Sequence, residues 1–367
     1  MHIAIVGCGQ LSRMLALAGI PMGIKFSFLN DNKDQDTRCV DGLGHVVGLD
    51  AVWQSVDDTA TLYQALGEPD HITIEKEHVN SDLLAALNLF CPIYPKVSAI
   101  KTCQHRHSQK RLLTSLSIAT SPYLYGICAR QAMQQLDLPL VVKSCREGYD
   151  GKNQWLLKTP EDVEQFDLMV AQDAQQNSAL SEYIIEAWLP FEKEVSLISA
   201  RSVGGEIIHY PLTENSNENG MLKRSIAPAL HIPEQTVQLA QANMEKLLIE
   251  LDYVGVLAME CFMVEGELIV NELAPRVHNS GHWTQVGSLT CQFENHLRAI
   301  GGSALGSTEL LGIAGMVNLV GIEKPPLDVL SKSSKLYWYN KLIREQRKLG
   351  HINYLAKDFD SLSHQMA

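Results

Sequence analysis

Two glutamates set inside one apolar hairpin constrain this chain more than any other feature. Residues 258–284 read AMECFMVEGELIVNELAPRVHNSGHWT. Residues 257–262 and 268–272 are apolar strand patterns, with Glu265-Gly266-Glu267 between them. A three-residue connection containing Gly is a common hairpin loop. It sets Val264 opposite Leu268 and Glu260 opposite Glu272. Facing carboxylates inside apolar strands repel, and burying either alone is costly. A divalent cation between them resolves the conflict, and hard oxygen ligands suit Mg²⁺ shared with a phosphate substrate. A slip of one residue would instead turn one Glu to solvent. The following stretch, 275–284, is rigid at its start and rich in donors, which fits a site better than a connector. Arg276 offers a planar fork for an oxyanion. His278 and His282 are candidate ligands or bases, or hydrogen-bonded structural residues.

The rest of the composition sets bounds on function. A length of 367 residues predicts two or three domains. Hydrophobic content of 46% and charged content of 20% fit a soluble globular chain. A net charge of −12 leaves no basic surplus for nucleic acid. The apolar runs are too short to span a bilayer. Met1 leads directly into a strand with no basic region or cleavage site, so no signal peptide is expected. The eight cysteines show neither CxxC nor metal spacing and read as reduced, which predicts a cytoplasmic protein.

The first hundred residues have an α/β rhythm. Residues 2–6 form a buried-strand run, and Gly7-Cys8-Gly9-Gln10-Leu11-Ser12 follows before a helical pattern. A second strand covers 24–29, with Asn30-Asp31 just past it. This is nearly the dinucleotide fingerprint, but Ser12 stands where the third glycine belongs. The turn is therefore expected to bind another anion or simply to turn the chain. Residues 71–74 are a strand, followed by Glu75-Lys76-Glu77-His78, and 81–89 a helix. Pro92 and Pro95 mark the domain edge.

The middle carries a second phosphate device. Residues 106–116 form a basic amphipathic helix whose default is a solvated face, with Arg106 a candidate ligand. Residues 129–136 read as a helix, and 139–143 as a short strand ending in Lys143. Glu147-Gly148-Tyr149-Asp150-Gly151-Lys152-Asn153 then forms a Gly-containing loop able to cover phosphates, or an ordinary turn into 154–157. It is not a Walker A loop. Residues 182–190 read as a strand stopped by Pro190, along whose edge an adenine could lie. Glu194 opens the next strand, and its carboxylate could accept ribose hydroxyls. Gly204-Gly205 makes a hairpin, 210–220 a polar loop, and 234–250 a helix leading back to the carboxylate hairpin.

This order of devices resembles the ATP-grasp superfamily. Gly-Gln-Leu-Ser-Arg-Met at 9–14, Gly-Tyr-Asp-Gly-Lys at 148–152 and Asn-Glu-Leu-Ala-Pro-Arg-Val-His-Asn-Ser-Gly-His-Trp-Thr at 271–284 are similar to the N5-carboxyaminoimidazole ribonucleotide synthase family. The likeness runs from residue 2 to about 355. It implies an α/β and α+β protein: a Rossmann-like pre-ATP-grasp domain (1–95), a small ATP-grasp subdomain (96–190), a large one carrying the metal hairpin (191–305), and a C-terminal β-rich domain (306–367). It implies the carboxylation of 5-aminoimidazole ribonucleotide by bicarbonate and ATP, through carboxyphosphate, in purine biosynthesis. It further implies a homodimer and a dependence on Mg²⁺, with Mn²⁺ the alternative cation.

Carried over by motif, Arg106, Lys143, the loop residues Glu147, Gly148, Tyr149, Asp150, Gly151, Lys152 and Asn153, and Glu186, Ala187, Trp188, Leu189, Glu194, Asn217, Asn271 and Glu272 would hold ATP. Glu260 and Glu272 would hold the metal. Arg276, His278, Asp150 and Tyr149 would act at the reacting atoms. Gln10, Arg276, Asn279, Ser280, Lys341, Arg347 and Lys348 would bind the substrates. The last three belong to a basic run at 332–351 that is unusual in an acidic chain. The chain departs from the family at Ser12, Glu147, Asn153 and Asn217, the last in place of an expected histidine. Asn271 precedes the metal Glu rather than following it. Other readings are a formate-using glycinamide ribonucleotide transformylase, a biotin carboxylase, an NAD-dependent oxidoreductase built on Gly7, Gly9 and Asp31, and an inactive nucleotide-binding regulator.

Overall fold

The computed structural model describes residues 1–31, 36–146, 153–176 and 182–366. Its first sheet is wholly parallel. Strands β1 (His2–Val6), β2 (Lys25–Asn30), β3 (His45–Gly48) and β4 (His71–Ile74) lie in the order β3-β2-β1-β4. Both faces are covered, as a parallel sheet requires. Ile3 and Ile5 of β1 enter the main core, while Ala4 and Val6 pack with Leu83, Leu84 and Leu87 on the other side. Helix Gln10–Gly19 starts from the glycine turn after β1.

A small antiparallel sheet follows, made of β5 (Tyr123–Tyr125), β6 (Leu140–Ser144), β7 (Gln154–Leu157) and β8 (Tyr183–Ala187) in the order β5-β8-β6-β7. Helix Pro160–Gln176 covers it, and Phe166 and Val163 enter its core. Here the helix read at 129–136 is only Ala129–Ala132. Gln135 and Leu136 still bond back to Ala132, as turns before Pro139.

The large sheet holds β9 (Lys193–Arg201), β10 (Ile207–His209), β11 (Thr213–Glu218), β12 (Met221–Ala227), β13 (Gly255–Val264), β14 (Glu267–Ala274), β15 (Ile313–Val320), β16 (Ser334–Trp338) and β17 (Lys348–Ala356). Its order is β14-β13-β9-β11-β12-β15-β17-β16, with β10 paired to β9. The C-terminal strands thus extend the sheet that carries the hairpin. The polar loop expected at 210–220 is instead strand β11, because pairing to β9 on one side and β12 on the other satisfies its backbone.

Helix Gln292–Ile300 joins the first sheet to the large one. Phe293, Leu297 and Ile300 pack against both. On the same helix His296 accepts from the Val256 N–H at Nδ1 (3.1 Å) and meets Thr73 Oγ1 at Nε2 (2.8 Å). Burial holds its pKa down to about 4, so it joins the layers as a neutral ring. Among the described residues no helix is long and apolar enough to cross a membrane.

Candidate active site

The carboxylate hairpin forms, by a different route from the one its sequence suggested. The connection is a two-residue turn: Val264 pairs with Glu267, and Met263 with Leu268. Glu265 and Gly266 both have positive φ (51° and 82°), which a tight hairpin turn of this hand demands. That register alone would set Glu260 opposite Asn271. A bulge between Glu260 and Cys261 corrects it, and Glu260 does stand opposite Glu272.

Each carboxylate has a cationic or donor neighbour. Arg106 Nη1 lies 2.5 Å from Glu272 Oε2, and His278 Nε2 lies 2.9 Å from Glu260 Oε1. Burial would raise the Glu272 pKa, but Arg106 holds it down. Glu194, paired with Phe262 along β9, has no ion-pair partner of that kind among the described residues. Burial and then the charge of Glu260 push it up to about 7, while Asn217 donates to its Oε2. Three carboxylates thus converge with too little positive charge among them. Two acceptor-only ligands across a bulge fit a hard divalent cation whose remaining positions go to phosphate and water. Among the described residues no group of three or more His, Cys, Asp or Glu is placed to hold a metal ion, so the protein's own share of such a site is the two glutamates.

Beside the hairpin lies a buried knot of charge. Glu186 Oε2 accepts from Ser121 Oγ (2.5 Å) and Lys143 Nζ (3.2 Å), and Lys110 Nζ is also 3.2 Å away. Lys143 additionally donates to Asn271 Oδ1 at 2.9 Å. Burial alone would raise the Glu186 carboxyl, but Lys143 and Lys110 hold it at about 2. Lys110, expected on a solvated face, is 2% exposed and pushed down to about 8 by burial, opposed by Glu186. Its helix is amphipathic in the reverse sense at this position, because a carboxylate waits in the core. Glu186 Oε1 is buried and finds no partner among the described residues. Ala187 ends β8, Trp188 is 43% exposed, and Leu189 lines a cleft of about 260 Å³ with Pro122, Val264 and Ile269. Asn153 adopts a left-handed φ of 55°. Glu147, Gly148, Tyr149, Asp150, Gly151 and Lys152 lie outside the described residues.

The loop after β14 is pinned from three sides. Arg276 Nη2 donates to Glu77 Oε1 at 2.6 Å. Gln292 brackets the His278 backbone, accepting from its N–H (2.9 Å) and donating to its carbonyl (2.6 Å). Asn279 exchanges two amide hydrogen bonds with Asn318 of β15 (3.1 and 2.8 Å). Ser280 is 1% exposed, and its hydroxyl bonds within the protein. His282 is fully buried and held neutral by desolvation.

The C-terminal basic run reaches the glycine turn of the first sheet. Lys341 Nζ donates to Gln10 Oε1. Arg347 Nη1 lies 3.3 Å from Asp36 Oδ2, and Lys348 opens β17 beside it. The glycine turn itself is occupied by the protein's own carboxylate. Glu75 accepts from Gly9 N–H (2.7 Å) and Ser12 N–H (3.2 Å). Its Cγ would stand 2.3 Å from a Cβ at Gly7. Ser12, in place of the third glycine, is buried and donates to the Gly7 carbonyl (2.9 Å). Asp31, the acid of the oxidoreductase reading, pairs with Lys76 at 2.6 Å. Glu75 thus takes the N–H groups that a pyrophosphate would need at this turn. Glu75, Glu77 and Lys110 were not read as site residues. The first two stand just past the end of β4, where open α/β sheets place their ligands, and that position was the available signal.

Comparison with known proteins agrees with this geometry. Residues 1–104 match the model of the ribonucleotide synthetase preATP-grasp domain, 111–293 the ATP-grasp domain, and 314–365 the phosphoribosylaminoimidazole carboxylase C-terminal domain. Fold and site together define an ATP-grasp ligase. N5-carboxyaminoimidazole ribonucleotide synthase of Vibrio cholerae is 39% identical over 364 residues, 97% of this chain and 91% of that protein. The crystal structure of the synthetase from Thermus thermophilus is 36% identical with a TM-score of 0.88, covering 99% of this chain and 96% of that one. The Staphylococcus aureus enzyme complexed with ADP is 30% identical with a TM-score of 0.85, covering 100% and 95%. The chain belongs to the N5-carboxyaminoimidazole ribonucleotide synthase family.

Proposed function

We propose that this protein uses ATP and bicarbonate to carboxylate the amine of 5-aminoimidazole ribonucleotide, releasing ADP and phosphate. The observation that carries this reading is the Glu260–Glu272 pair, opposed across β13 and β14 with Arg106 and Lys143 alongside. Phosphoryl transfer needs positioning and positive charge more than covalent chemistry. Lys143 and Arg106 supply fixed charge for the phosphates, and the unpartnered Glu186 Oε1 offers an acceptor to the exocyclic amine of adenine. The edge at Ala187, Trp188 and Leu189 lines the base, Glu194 with Asn217 takes the ribose, and Asn271 orients Lys143. Glu260 and Glu272 would hold Mg²⁺, which when bound neutralises charge on the phosphates.

A bicarbonate oxygen takes the γ-phosphoryl group as ADP leaves with the bonding pair. The ribonucleotide amine then bonds to the carboxyl carbon while phosphate departs and the nitrogen gives up a proton. The mixed anhydride is destroyed by water, so the site must be covered. By the family resemblance, residues 147–153 would hold the ATP phosphates, with Tyr149 and Asp150 acting at the reacting atoms; 147–152 lie outside the described residues. Arg276 and His278 stand at the reacting end. Lys341, Arg347 and Lys348 supply the basic groups for the 5′-phosphate, with Gln10 and Asn279 as further substrate contacts. The protein is proposed to be cytoplasmic, in keeping with its eight free cysteines, and, from the family resemblance alone, a homodimer.

The test is ADP release with MgATP and bicarbonate, with and without the ribonucleotide, for wild type and Glu272→Gln. Strong stimulation by the ribonucleotide, lost in the variant, is expected. ATP binding without stimulation would move the acceptor to another compound.

A further inference from the structure

His278 is held by more than its neighbours in the loop. The backbone N–H of Ser280 donates to His278 Nδ1 at 3.3 Å, and an N–H can only donate. Nδ1 therefore presents its lone pair inward. The Ser280 hydroxyl lies 2.9 Å from the same nitrogen. That hydroxyl is itself an acceptor from Ser196 Oγ at 2.8 Å, which frees its proton for Nδ1. Ser196 in turn accepts from Asn215 Nδ2 at 3.0 Å. Asn215 Oδ1 accepts from Ser225 Oγ at 2.8 Å. Ser196, Ser225 and Ser280 are at most 1% exposed. The steps from Ser225 through Asn215 and Ser196 to Ser280 all donate in one direction, which leaves the Ser280 hydroxyl proton available to Nδ1. The path ends with His278 Nε2 directed at Glu260 Oε1, 2.9 Å away. Ser196 sits opposite Glu260 in the β9–β13 register, so path and target share one row of the sheet.

We propose that Ser225, Asn215, Ser196 and Ser280 are positioning residues that fix His278 as its Nε2–H tautomer. His278 thereby meets the reacting groups as a hydrogen-bond donor and not as a general base. The inference rests on the reading of the loop as the reacting end of the site, and deepens it. A ring whose only unprotonated nitrogen is engaged from behind has no lone pair to offer substrate. What it can offer is one N–H, which points at the Glu260 carboxylate on the edge of the proposed phosphate site. The role of Ser280 changes accordingly, from contacting substrate to setting the histidine proton.

The tautomer is read directly from two-bond ¹H–¹⁵N spectra of histidine-labelled protein without metal or nucleotide, with His278→Gln to assign the signals. The expected pattern is a protonated Nε2 and a bare Nδ1. Ser280→Ala and Ser196→Ala remove or release the hydroxyl donor but keep the backbone N–H of residue 280, so each should raise the share of the Nδ1–H tautomer without making it dominant. A protonated Nδ1 in the wild type would overturn the proposal, as would a tautomer indifferent to both substitutions. The kinetic counterpart compares two replacements. His278→Gln keeps an N–H near the Nε2 position and should retain carboxylation within about tenfold, whereas His278→Leu should lose on the order of 10²–10³, the cost of an oxyanion donor. Equal losses in both would remove the donor role. The spectrum is taken without substrate, so its failure is separable from any failure of the proposed reaction.

Discussion

The glycine turn after β1 and the carboxylate hairpin both look, in sequence, like places that hold a charged ligand, yet the fold treats them in opposite ways. At the turn, Glu75 supplies the anion, and the N–H groups of Gly9 and Ser12 are satisfied by it. At the hairpin, Glu194 is left crowded against Glu260, and Glu186 keeps an oxygen without a partner among the described residues. A motif marks where charge can be bound. Whether it binds a ligand depends on whether the chain has already closed the circuit.

That contrast can be broken most severely at the hairpin. Glu272→Gln should lower ribonucleotide-stimulated ADP release by about 10²-fold or more, the scale of losing an electrostatic element of the transition state. Near-normal turnover at saturating Mg²⁺ would refute the metal assignment. Next in size is Glu186→Gln, which strands Lys110 and Lys143 in a buried site. Breaking such a pair costs about 3–5 kcal/mol, readable by urea unfolding at pH 7.

The pH dependence carries a sign. The Glu186 pKa is depressed in the fold from 4.5 to about 2. Its stabilisation is therefore full above pH 4.5 and lost as pH falls through about 2. Unfolding scans of the wild type between pH 5 and 2 should show this acid limb, and the Gln variant should show it flattened.

The turn should respond more gently. Glu75→Ala leaves two backbone donors without their carboxylate, at about 1–3 kcal/mol in thermal or urea melts. It should not create dinucleotide binding, because Asp31 is already paired with Lys76. Tight NADH binding by fluorescence in this variant would show the turn to be a masked cofactor site. Ser12→Gly is expected to matter least, costing about 0.5–1.5 kcal/mol for one hydroxyl hydrogen bond.

Much of this was legible in the chain. Three strands of the first sheet (β1, β2 and β4), the helix Glu234–Glu250 and the hairpin announce themselves by local periodicity and turn residues, whereas the short β3 went unread. The family motif at 271–284 marks the site because its residues are contiguous. What escaped depends on partners far along the chain. Nothing near Lys110 says that Glu186 will bury it, and nothing near Gly9 says that Glu75 will fill the turn. Strand β11 read as a loop because its residues are polar, and only its two neighbours make it a strand. The Glu260–Glu272 pairing was foreseen with the wrong turn, and two one-residue errors cancelled: the loop is shorter than expected, and the bulge restores the offset.

That bulge separates the hairpin into two mechanical units. Above it, the tip from Cys261 to Val270 keeps one pairing offset; below it, the carboxylates keep another. Length added at Glu265 and Gly266 need not propagate to Glu260 and Glu272, since β14 is also held there from outside the hairpin, by Gln109 accepting from the Leu273 N–H and by Arg106 on Glu272. The tip is thus a natural point of attachment for a reporter group, close enough to feel the site fill and insulated enough not to disturb it.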